Sequence, residues 1–347
     1  MQRMRRSETW LPRVLLSALA LAVCAPAARA QDAERAYFSG KTVRMVVGYG
    51  PGGGYDAYAR MVAPHLSKVL GAGVVVENQP GAGGLVALNR LATAVPDGLI
   101  MMIVNGTGAA LSQLTEQAGV RYDLAQLGYL GTVSASPWMW LVGPNSTIKT
   151  PQDAIKLGKK MNWAASGPAD GLSDGAAFTC EALSLDCHVV LGYAGSNQAA
   201  LAVTQGEMDA IYVSDTSANN YVASGQQHVV AAMGRAKSRF FPDAPTIFEA
   251  LKLTADQQWL FDFRGKLEDL GRILLVPPSM APGRLAALQA AVKETLNDPG
   301  LRAEGEKSQR YINYLDAATT RKNAQDVVSN ISPEQRKRVQ DILAKAR

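Results

Sequence analysis

The sequence predicts an α/β protein with two lobes, each built on a mainly parallel sheet flanked by helices. Short β-branched apolar runs alternate with helical patterns along the chain, which is typical of such sheets. The alternation restarts near residue 160, so a single lobe does not account for it. With 347 residues, of which 47% are hydrophobic and 19% charged, the chain is long enough for two domains and too apolar for a disordered protein.

The first half of the chain contains the clearest alternation. Its apolar runs predict strands over 42–47, 74–77, 99–104, 127–132 and 138–142. Its helical patterns predict helices over 56–70 and 83–94. Thr150 precedes Pro151 and is a typical N-cap residue, so a further helix is predicted to begin there.

The second half of the chain repeats the pattern. Strands are predicted over 162–166, 188–191, 210–213, 229–233 and 272–276. Helices are predicted over 174–185, 197–205, 283–296 and, in the charged tail, 319–346. We expect the chain to cross between the lobes near residues 134–137 and 242–245.

The first 30 residues form a unit of their own. Four arginines among residues 3–13 lead into the apolar run 14–23, and Ala28-Arg29-Ala30 closes the segment. A basic start, an apolar stretch too short to span a bilayer and an A-x-A sequence predict a secretory signal peptide over residues 1–30. We therefore expect an exported, soluble chain that begins near Gln31.

The charge balance of the mature chain excludes several classes of partner. Removing residues 1–30 takes away five arginines and one glutamate, which lowers the net charge from +5 to about +1. No basic stripe remains and aromatic residues do not interleave with basic ones, so we expect no nucleic acid. His65, His188 and His228 are scattered, and no C-x-x-C or H-x-x-x-H pattern occurs, so we expect no metal and no cofactor.

Two cysteines remain in the mature chain, Cys180 and Cys187. In an oxidising compartment they can form a disulfide that joins the end of a helix to the next strand. The alternative is that both are small buried apolar residues without a bond between them.

Two loops formally match enzyme motifs. Residues 48–53 read G-x-G-x-x-G after a strand, and Glu77 ends the next strand, as in dinucleotide-binding folds. Pro51 and the glycines after it delay the helix, which does not fit the tight turn of such a fold. Residues 171–175 read G-x-S-x-G, and Asp215 and His228 follow in the order of an α/β-hydrolase. An exported serine hydrolase is therefore the alternative function, although residues 167–170 separate this motif from the preceding strand.

A third interpretation joins the same loops into one binding site. Each loop follows the carboxyl end of a strand and precedes a helix, where unpaired N–H groups and the helix dipole attract an anion. Glycines in 52–54, 81–84 and 166–167 let the backbone approach such a ligand closely. No Arg or Lys lies in these loops, so we expect N–H groups and hydroxyls to hold the anion in a cleft between the lobes.

The loops belong to longer motifs that resemble a known family. The chain reads PGGGYD at 51–56, VVENQPGAGG at 75–84, GYAG at 192–195, GEMDA at 206–210 and PDAPT at 242–246. Together these motifs span nearly the whole mature chain. They resemble the Bug/TctC family, the periplasmic substrate-binding proteins of tripartite tricarboxylate transporters.

The resemblance implies a non-enzymatic, two-lobe periplasmic binding protein of the Venus flytrap, type II-like fold. Such a protein captures a small carboxylate between its lobes and delivers it to the membrane permease of the transporter. The resemblance leaves undecided whether a sensor kinase is a second partner. We expect a monomer in which residues 31–134 and 243–347 form lobe 1 and residues 135–242 form lobe 2.

The resemblance also implies a set of ligand-binding residues, contributed by loops of both lobes. These are Gly52, Gly53, Gly54, Tyr55, Ala82, Gly83, Gly84, Thr107, Ser134, Ser166, Gly167, Ser173 and Tyr193. One position departs from the family, because Asp174 follows Ser173 where a histidine is usual nearby. An acid there argues against a highly charged ligand on that side.

Overall fold

The computed structural model of the protein describes Glu34 and residues 36–52, 54–165, 171–193 and 196–345. The strands in this part of the chain form two separate five-stranded sheets. The first sheet has the order β2-β1-β3-β10-β4 and the second has the order β7-β6-β8-β5-β9. The first sheet consists of β1 (Thr42–Val47), β2 (Gly73–Asn78), β3 (Ile100–Asn105), β4 (Gly128–Ser134) and β10 (Arg272–Val276). The second consists of β5 (Trp138–Val142), β6 (Met161–Ala164), β7 (Cys187–Val190), β8 (Ala210–Ser214) and β9 (His228–Ala232).

Four strands of each sheet point in one direction and the fifth runs against them. In the first sheet β10 pairs antiparallel with both β3 and β4. In the second sheet β5 pairs antiparallel with both β8 and β9. The sheets are therefore mixed in pairing but mainly parallel in direction, as the sequence predicts. Each reversed strand is the one that the chain adds directly after crossing from the other sheet.

Helices cover both faces of the sheets. They are α1 (Gly54–Leu70), α2 (Leu85–Ala92), α3 (Gly106–Leu114), α4 (Pro151–Leu157), α5 (Gly171–Leu183), α6 (Ser196–Gln205), α7 (Asp215–Ala223), α8 (Ile247–Ala250), α9 (Ala255–Asp269), α10 (Pro282–Leu296), α11 (Pro299–Lys307), α12 (Ala317–Val328) and α13 (Pro333–Lys345). A short 3-10 helix (Ala82–Gly84) precedes α2. The predicted N-cap at Thr150 is confirmed, because its side chain accepts a hydrogen bond from the backbone N–H of Asp153.

Two features of the helices differ from the prediction. The tail is not one helix over 319–346, because α12 ends at Val328 and Pro333 starts α13, a position where proline fits a helix and its missing N–H is not needed. The sequence also did not predict α9. Its amino end is closed by a capping box, in which Thr254 accepts from the backbone N–H of Gln257 while the Gln257 side chain accepts from the N–H of Thr254.

Helix α9 lies between the two halves of the molecule. It packs against α3 and α12 beside the first sheet and against α5 beside the second. Its buried residues Leu260, Phe261 and Leu267 belong to an apolar core that includes residues of both sheets. The opposite faces have separate cores, one between the first sheet and α1 and α10, the other between the second sheet and α6. One of the three cores therefore crosses from lobe to lobe.

The carboxyl edges of the two sheets meet at the first crossing. Ser134 ends β4 and Trp138 begins β5, so three residues separate the sheets, a span of about 10 Å. Because β5 is antiparallel to β8, its first residue lies at the carboxyl end of β8. The loops that follow the parallel strands of both lobes therefore project toward the same region.

The predicted lobe boundary at residues 242 and 243 stays a prediction. Thr246 forms a bridge with Ala232 of β9, and α8 packs against α4 and β9, so residues 246–250 lie with the second sheet. The chain then passes through α9 and enters the first sheet at Arg272.

Cys180 near the end of α5 and Cys187 at the start of β7 are joined by a disulfide, with their Cα atoms 6.1 Å apart.

Among the described helices, none combines the length and apolar character that crossing a membrane requires.

Candidate functional site

The loop after β1 and the 3-10 turn after β2 meet at the carboxyl edge of the first sheet. A Cβ on Gly48 would lie 2.7 Å from the Cα of Gly84, so the two backbones touch in a way that only glycine permits. Gly52 and Gly84 adopt positive φ angles of 83° and 95°, which also favour glycine. The loop that carries Gly52, Gly54 and Tyr55 and the turn of Ala82, Gly83 and Gly84 thus lie at the same edge, and Gly48 and the Tyr49 ring contact Gly84 directly.

Asp56 holds these loops together. Its carboxylate accepts hydrogen bonds from Arg60 at 2.9 Å, from the N–H of Gly52 at 2.8 Å and from the amide of Asn78 at 2.9 Å. The Arg60 side chain, with the Gly52 and Asn78 donors, lowers the pKa of Asp56 to about 2. Asn78 also donates to the carbonyl of Tyr49 at 3.0 Å. Asp56 is 3% exposed, so it organises the loops and is shielded from a ligand.

N–H groups at the start of α2 have no side-chain cap. Neither Gly81, which precedes the 3-10 helix, nor Gly84, which precedes α2, offers a capping side chain. The first N–H groups of a helix lack intrahelical partners, and they are suited to bind an anion. A small cavity of about 30 Å³ lies beside them, and Tyr49, Ala82, Gly84 and Asn105 line it.

Aromatic rings stand next to the same loops. Tyr49 stacks on Tyr55, with ring centres 4.9 Å apart and planes 22° apart. Burial raises the pKa of Tyr49, and a hydrogen bond with the Asn105 side chain partly offsets this rise. The guanidinium of Arg272 lies over the ring of Tyr55 at 5.1 Å and over that of Tyr58 at 4.5 Å.

Sequence reasoning missed Arg272. It is the first residue of β10 and lies opposite Asn105 and Ser134, at the edge where the loops converge. The prediction that no Arg or Lys takes part considered the loops alone. The signal was available in principle: in a strand that runs antiparallel to its neighbours, the first residue lies at the carboxyl ends of those neighbours.

The hydroxyls of Thr107 and Ser134 are already hydrogen-bonded to protein. Thr107 Oγ1 donates to the carbonyl of Leu267 in α9 at 2.5 Å. Ser134, which is 2% exposed, donates to Tyr58 Oη at 3.3 Å. Both hydroxyls thus bind protein groups in this structure and stabilise the surroundings of the site.

The predicted residues of the second lobe are only partly within the described residues. Ser166, Gly167 and, in the first lobe, Gly53 lie outside them. Tyr193 is half-buried, and its N–H donates to the carbonyl of Ala165 at 3.4 Å. Ser173 is fully buried in the first turn of α5. The structure therefore places Tyr193 at the carboxyl edge of the second sheet and buries Ser173 in α5.

The burial of Ser173 does not support the serine hydrolase alternative. A nucleophile must reach its substrate, and this hydroxyl is 0% exposed. His228 begins β9 at the amino edge of the sheet, where its Nε2 lies 3.0 Å from the carbonyl oxygen of Pro144. The helix that carries Ser173 begins beyond the carboxyl edge, so the two side chains lie at opposite ends of the sheet.

A buried polar cluster joins α9 to the second lobe. Tyr212 Oη donates to Glu268, and Arg264 forms an ion pair with Glu268 at 3.5 Å. Trp138 stacks on Tyr212 with ring centres 5.3 Å apart, and the Arg264 guanidinium lies 5.4 Å from both rings. Burial raises the pKa of Glu268 to about 7, although Arg264 opposes the rise.

A larger cavity of about 890 Å³ opens beside the crossing between the lobes. Residues 135–137, Asp215, Arg239 and Asp269 are among those that line it. Of the predicted ligand-binding residues that the structure describes, none lies on its wall. Among the described residues, no group of three His, Cys, Asp or Glu side chains could hold a metal ion.

Comparison with known proteins identifies the family. A sequence model described as the tripartite tricarboxylate transporter family receptor, TctC, matches residues 58–342. The chain belongs to the TctC family. The resemblance of its motifs to that family is therefore confirmed.

Individual relatives of this TctC chain are distant in sequence. A UPF0065 protein from the gbd 5′ region of Cupriavidus necator is 29% identical over 241 residues, which is 67% of this chain and 71% of the relative. A TctC solute-binding protein from Polaromonas, solved without ligand, superposes with a TM-score of 0.73 at 17% identity over 88% of this chain and 98% of that one. MatC from Rhodopseudomonas palustris, solved with bound malate, superposes with a TM-score of 0.60 at 20% identity over 87% and 99%. These superpositions confirm the two-lobe binding-protein fold.

Proposed function

We propose that this TctC protein is an extracytoplasmic solute receptor that captures a small carboxylate between its two lobes and delivers it to a membrane permease. The observation that carries the proposal is the convergence of both carboxyl edges at a three-residue crossing, with uncapped helix starts and glycine loops at that edge. Family membership and the malate bound to MatC support it.

The carboxylate is proposed to lie against the first lobe. Its oxygens would accept hydrogen bonds from N–H groups in the loops 52–54 and 82–84, where the positive ends of α1 and α2 favour a negative charge. The N–H groups of Gly52 and Gly84 are not among them, because they already donate to Asp56 and to the carbonyl of Gly81. Asp56 does not oppose this, because its own charge is shielded from the cleft by Arg60, Gly52 and Asn78.

The second lobe is proposed to close over the ligand. Tyr193 and the loop after β6, which includes Ser166 and Gly167, would contact it only when the lobes approach each other. A ligand that contacts both lobes only in the closed state shifts the population toward that state. The closed form is then the one that the permease of a tripartite transporter recognises.

Export belongs to the same proposal. Residues 1–30 would direct the chain to the periplasm and be removed, which leaves a non-enzymatic, monomeric receptor beginning near Gln31. The disulfide between Cys180 and Cys187 supports an oxidising compartment.

The test is the melting temperature of residues 31–347 with aliphatic carboxylates, aromatic carboxylates, amino acids and neutral analogues. A ligand at one hundred times its dissociation constant adds about 2.7 kcal/mol, and each kcal/mol moves the midpoint by about 2–4 °C in a domain of about 150–250 residues. We expect a rise of several degrees confined to one class of carboxylate, with the compound recovered unchanged. No rise with any compound, or ester hydrolysis that Ser173→Ala abolishes, would refute the receptor function.

A further inference from the structure

Arg272 occupies an unusual position for a positive charge. The Nη2 atom lies 3.4 Å from the point where a Cβ on Gly54 would be, so the guanidinium is beside the first residue of α1. Tyr55 and Tyr58, both in the first turns of that helix, present their rings to it at 5.1 Å and 4.5 Å. The rings fix the position of the guanidinium but carry no negative charge of their own.

No acid within the described residues neutralises this charge. The Arg272 side chain has neither an ion pair nor a hydrogen bond there, and its Nε atom is buried without a partner. The acid nearest along α1 is Asp56, whose carboxylate is already bound to Arg60, Gly52 and Asn78. By contrast, Arg44 on the same sheet is paired with Glu77 at 3.3 Å.

The helix makes the position of this charge more unfavourable. The amino end of a 17-residue helix carries a partial positive charge and N–H groups without intrahelical partners. A half-buried cation at that end is repelled by the dipole and is poorly hydrated. A bound anion would offset both the repulsion by the dipole and the poor hydration, because it would accept hydrogen bonds from the N–H groups and pair with the guanidinium.

We propose that Arg272 is the charged anchor for the ligand's carboxylate. The inference rests on the proposed function and adds the residue that selects the ligand's charge: the end that lies against α1 must be a free carboxylate, and primary amides are rejected. A guanidinium can donate two parallel hydrogen bonds to a carboxylate, whereas an amide offers no charge and one oxygen fewer. The backbone N–H groups then orient the ligand and Arg272 selects its charge.

The test compares wild type, Arg272→Gln, Arg272→Lys and the control Arg44→Gln, all as residues 31–347. Calorimetric titration uses malate, adipate and benzoate together with the primary amides of these acids. We expect wild type to bind at least one acid more tightly than its amide, and Arg272→Gln to weaken that acid about 10- to 100-fold, the value of a charge-assisted hydrogen bond. Arg272→Lys should be intermediate, and Arg44→Gln, in the middle of β1 and paired with Glu77, should bind as wild type does.

A second variant supplies the missing anion from within the chain. Gly54→Asp places a carboxylate within reach of Arg272, so it should raise the melting temperature of the unliganded protein and lower the affinity for the acid. Gly73→Asp makes the same charge change at the amino edge of the sheet and should do neither.

The outcomes separate this inference from the function on which it rests. If wild type binds an acid and Arg272→Gln binds it equally well, the anchor is refuted while the receptor function stands. The same holds if Arg272→Gln lowers only the unliganded melting temperature, because Arg272 is then a structural cation. If wild type binds none of the compounds, the receptor function fails for these carboxylates and the anchor fails with it.

Discussion

Gly175 lies in α5 directly beneath the ring of Tyr212, and a Cβ at this position would overlap the ring carbons. Gly175→Ala should therefore lower the free energy of unfolding by about 1–3 kcal/mol through overpacking. Gly265 is the matched control, because it also lies inside a helix but has open space where its Cβ would be. Gly265→Ala should raise stability by about 0.4–1 kcal/mol. Urea denaturation measures both, and equal stability of the two variants would contradict the packing described here.

Glu268 gives the protein a pH-dependent stability. Burial raises the pKa of its carboxyl from 4.5 to about 7 in the folded protein, so the folded state binds more protons than the unfolded state between these values. The free energy of unfolding should therefore fall as pH rises from about 4.5 to 7, by about 3 kcal/mol for Glu268 alone. Asp269, whose pKa burial raises to about 6, acts in the same direction.

The matched variant is Glu268→Gln, which keeps the size of the side chain and a hydrogen-bonding partner for Tyr212 but does not titrate. Its unfolding free energy, measured by denaturant titration from pH 4.5 to 8, should decline less steeply than that of wild type. Parallel pH profiles would show that Glu268 titrates normally.

At the scale of elements, the disulfide closes a short loop between α5 and β7. Cross-linking residues seven positions apart restricts the unfolded chain and contributes about 2–3 kcal/mol in the chain-entropy model. The double variant Cys180→Ala/Cys187→Ala should lose this amount. A reducing agent should bring wild type to the stability of the variant and leave the variant unchanged. A wild type insensitive to reduction would contradict a structural role for the bond.

The elements that sequence reasoning found are those with local signals. The strand 42–47, its glycine turn and the following helix show their pattern within one continuous stretch, and Thr150 caps the next residues along the chain. Helix α9 was missed because its apolar residues face two lobes, so they do not form the single stripe that periodicity detects.

The candidate site also combines features that local sequence patterns predict with features that depend on long-range packing. Glycine loops after strands are visible in the sequence, and the structure brings those of the first lobe together. The position of Arg272 depends on β10 entering between β3 and β4, a pairing between positions far apart in the chain. The burial of Ser173 likewise follows from how α5 packs and not from the motif around it.

The whole molecule has two lobes, yet one of its apolar cores crosses between them through α9. We therefore expect both lobes to unfold together, because neither can keep that core when the other opens. Differential scanning calorimetry of residues 31–347 should show one transition whose calorimetric and van't Hoff enthalpies agree. Two resolved transitions would mean that α9 belongs energetically to one lobe only.

The position of α9 also gives the space between the lobes a direction. On the face that carries α3 and α5, continuous packing joins the two sheets, whereas on the face that carries α1 and α6 the two cores remain separate. We therefore expect a solute to enter and leave by the face that carries α1 and α6. Under the proposed function, a membrane protein that receives the solute would approach from that same side, and its contacts with α1 and α6 would decide whether the solute is released.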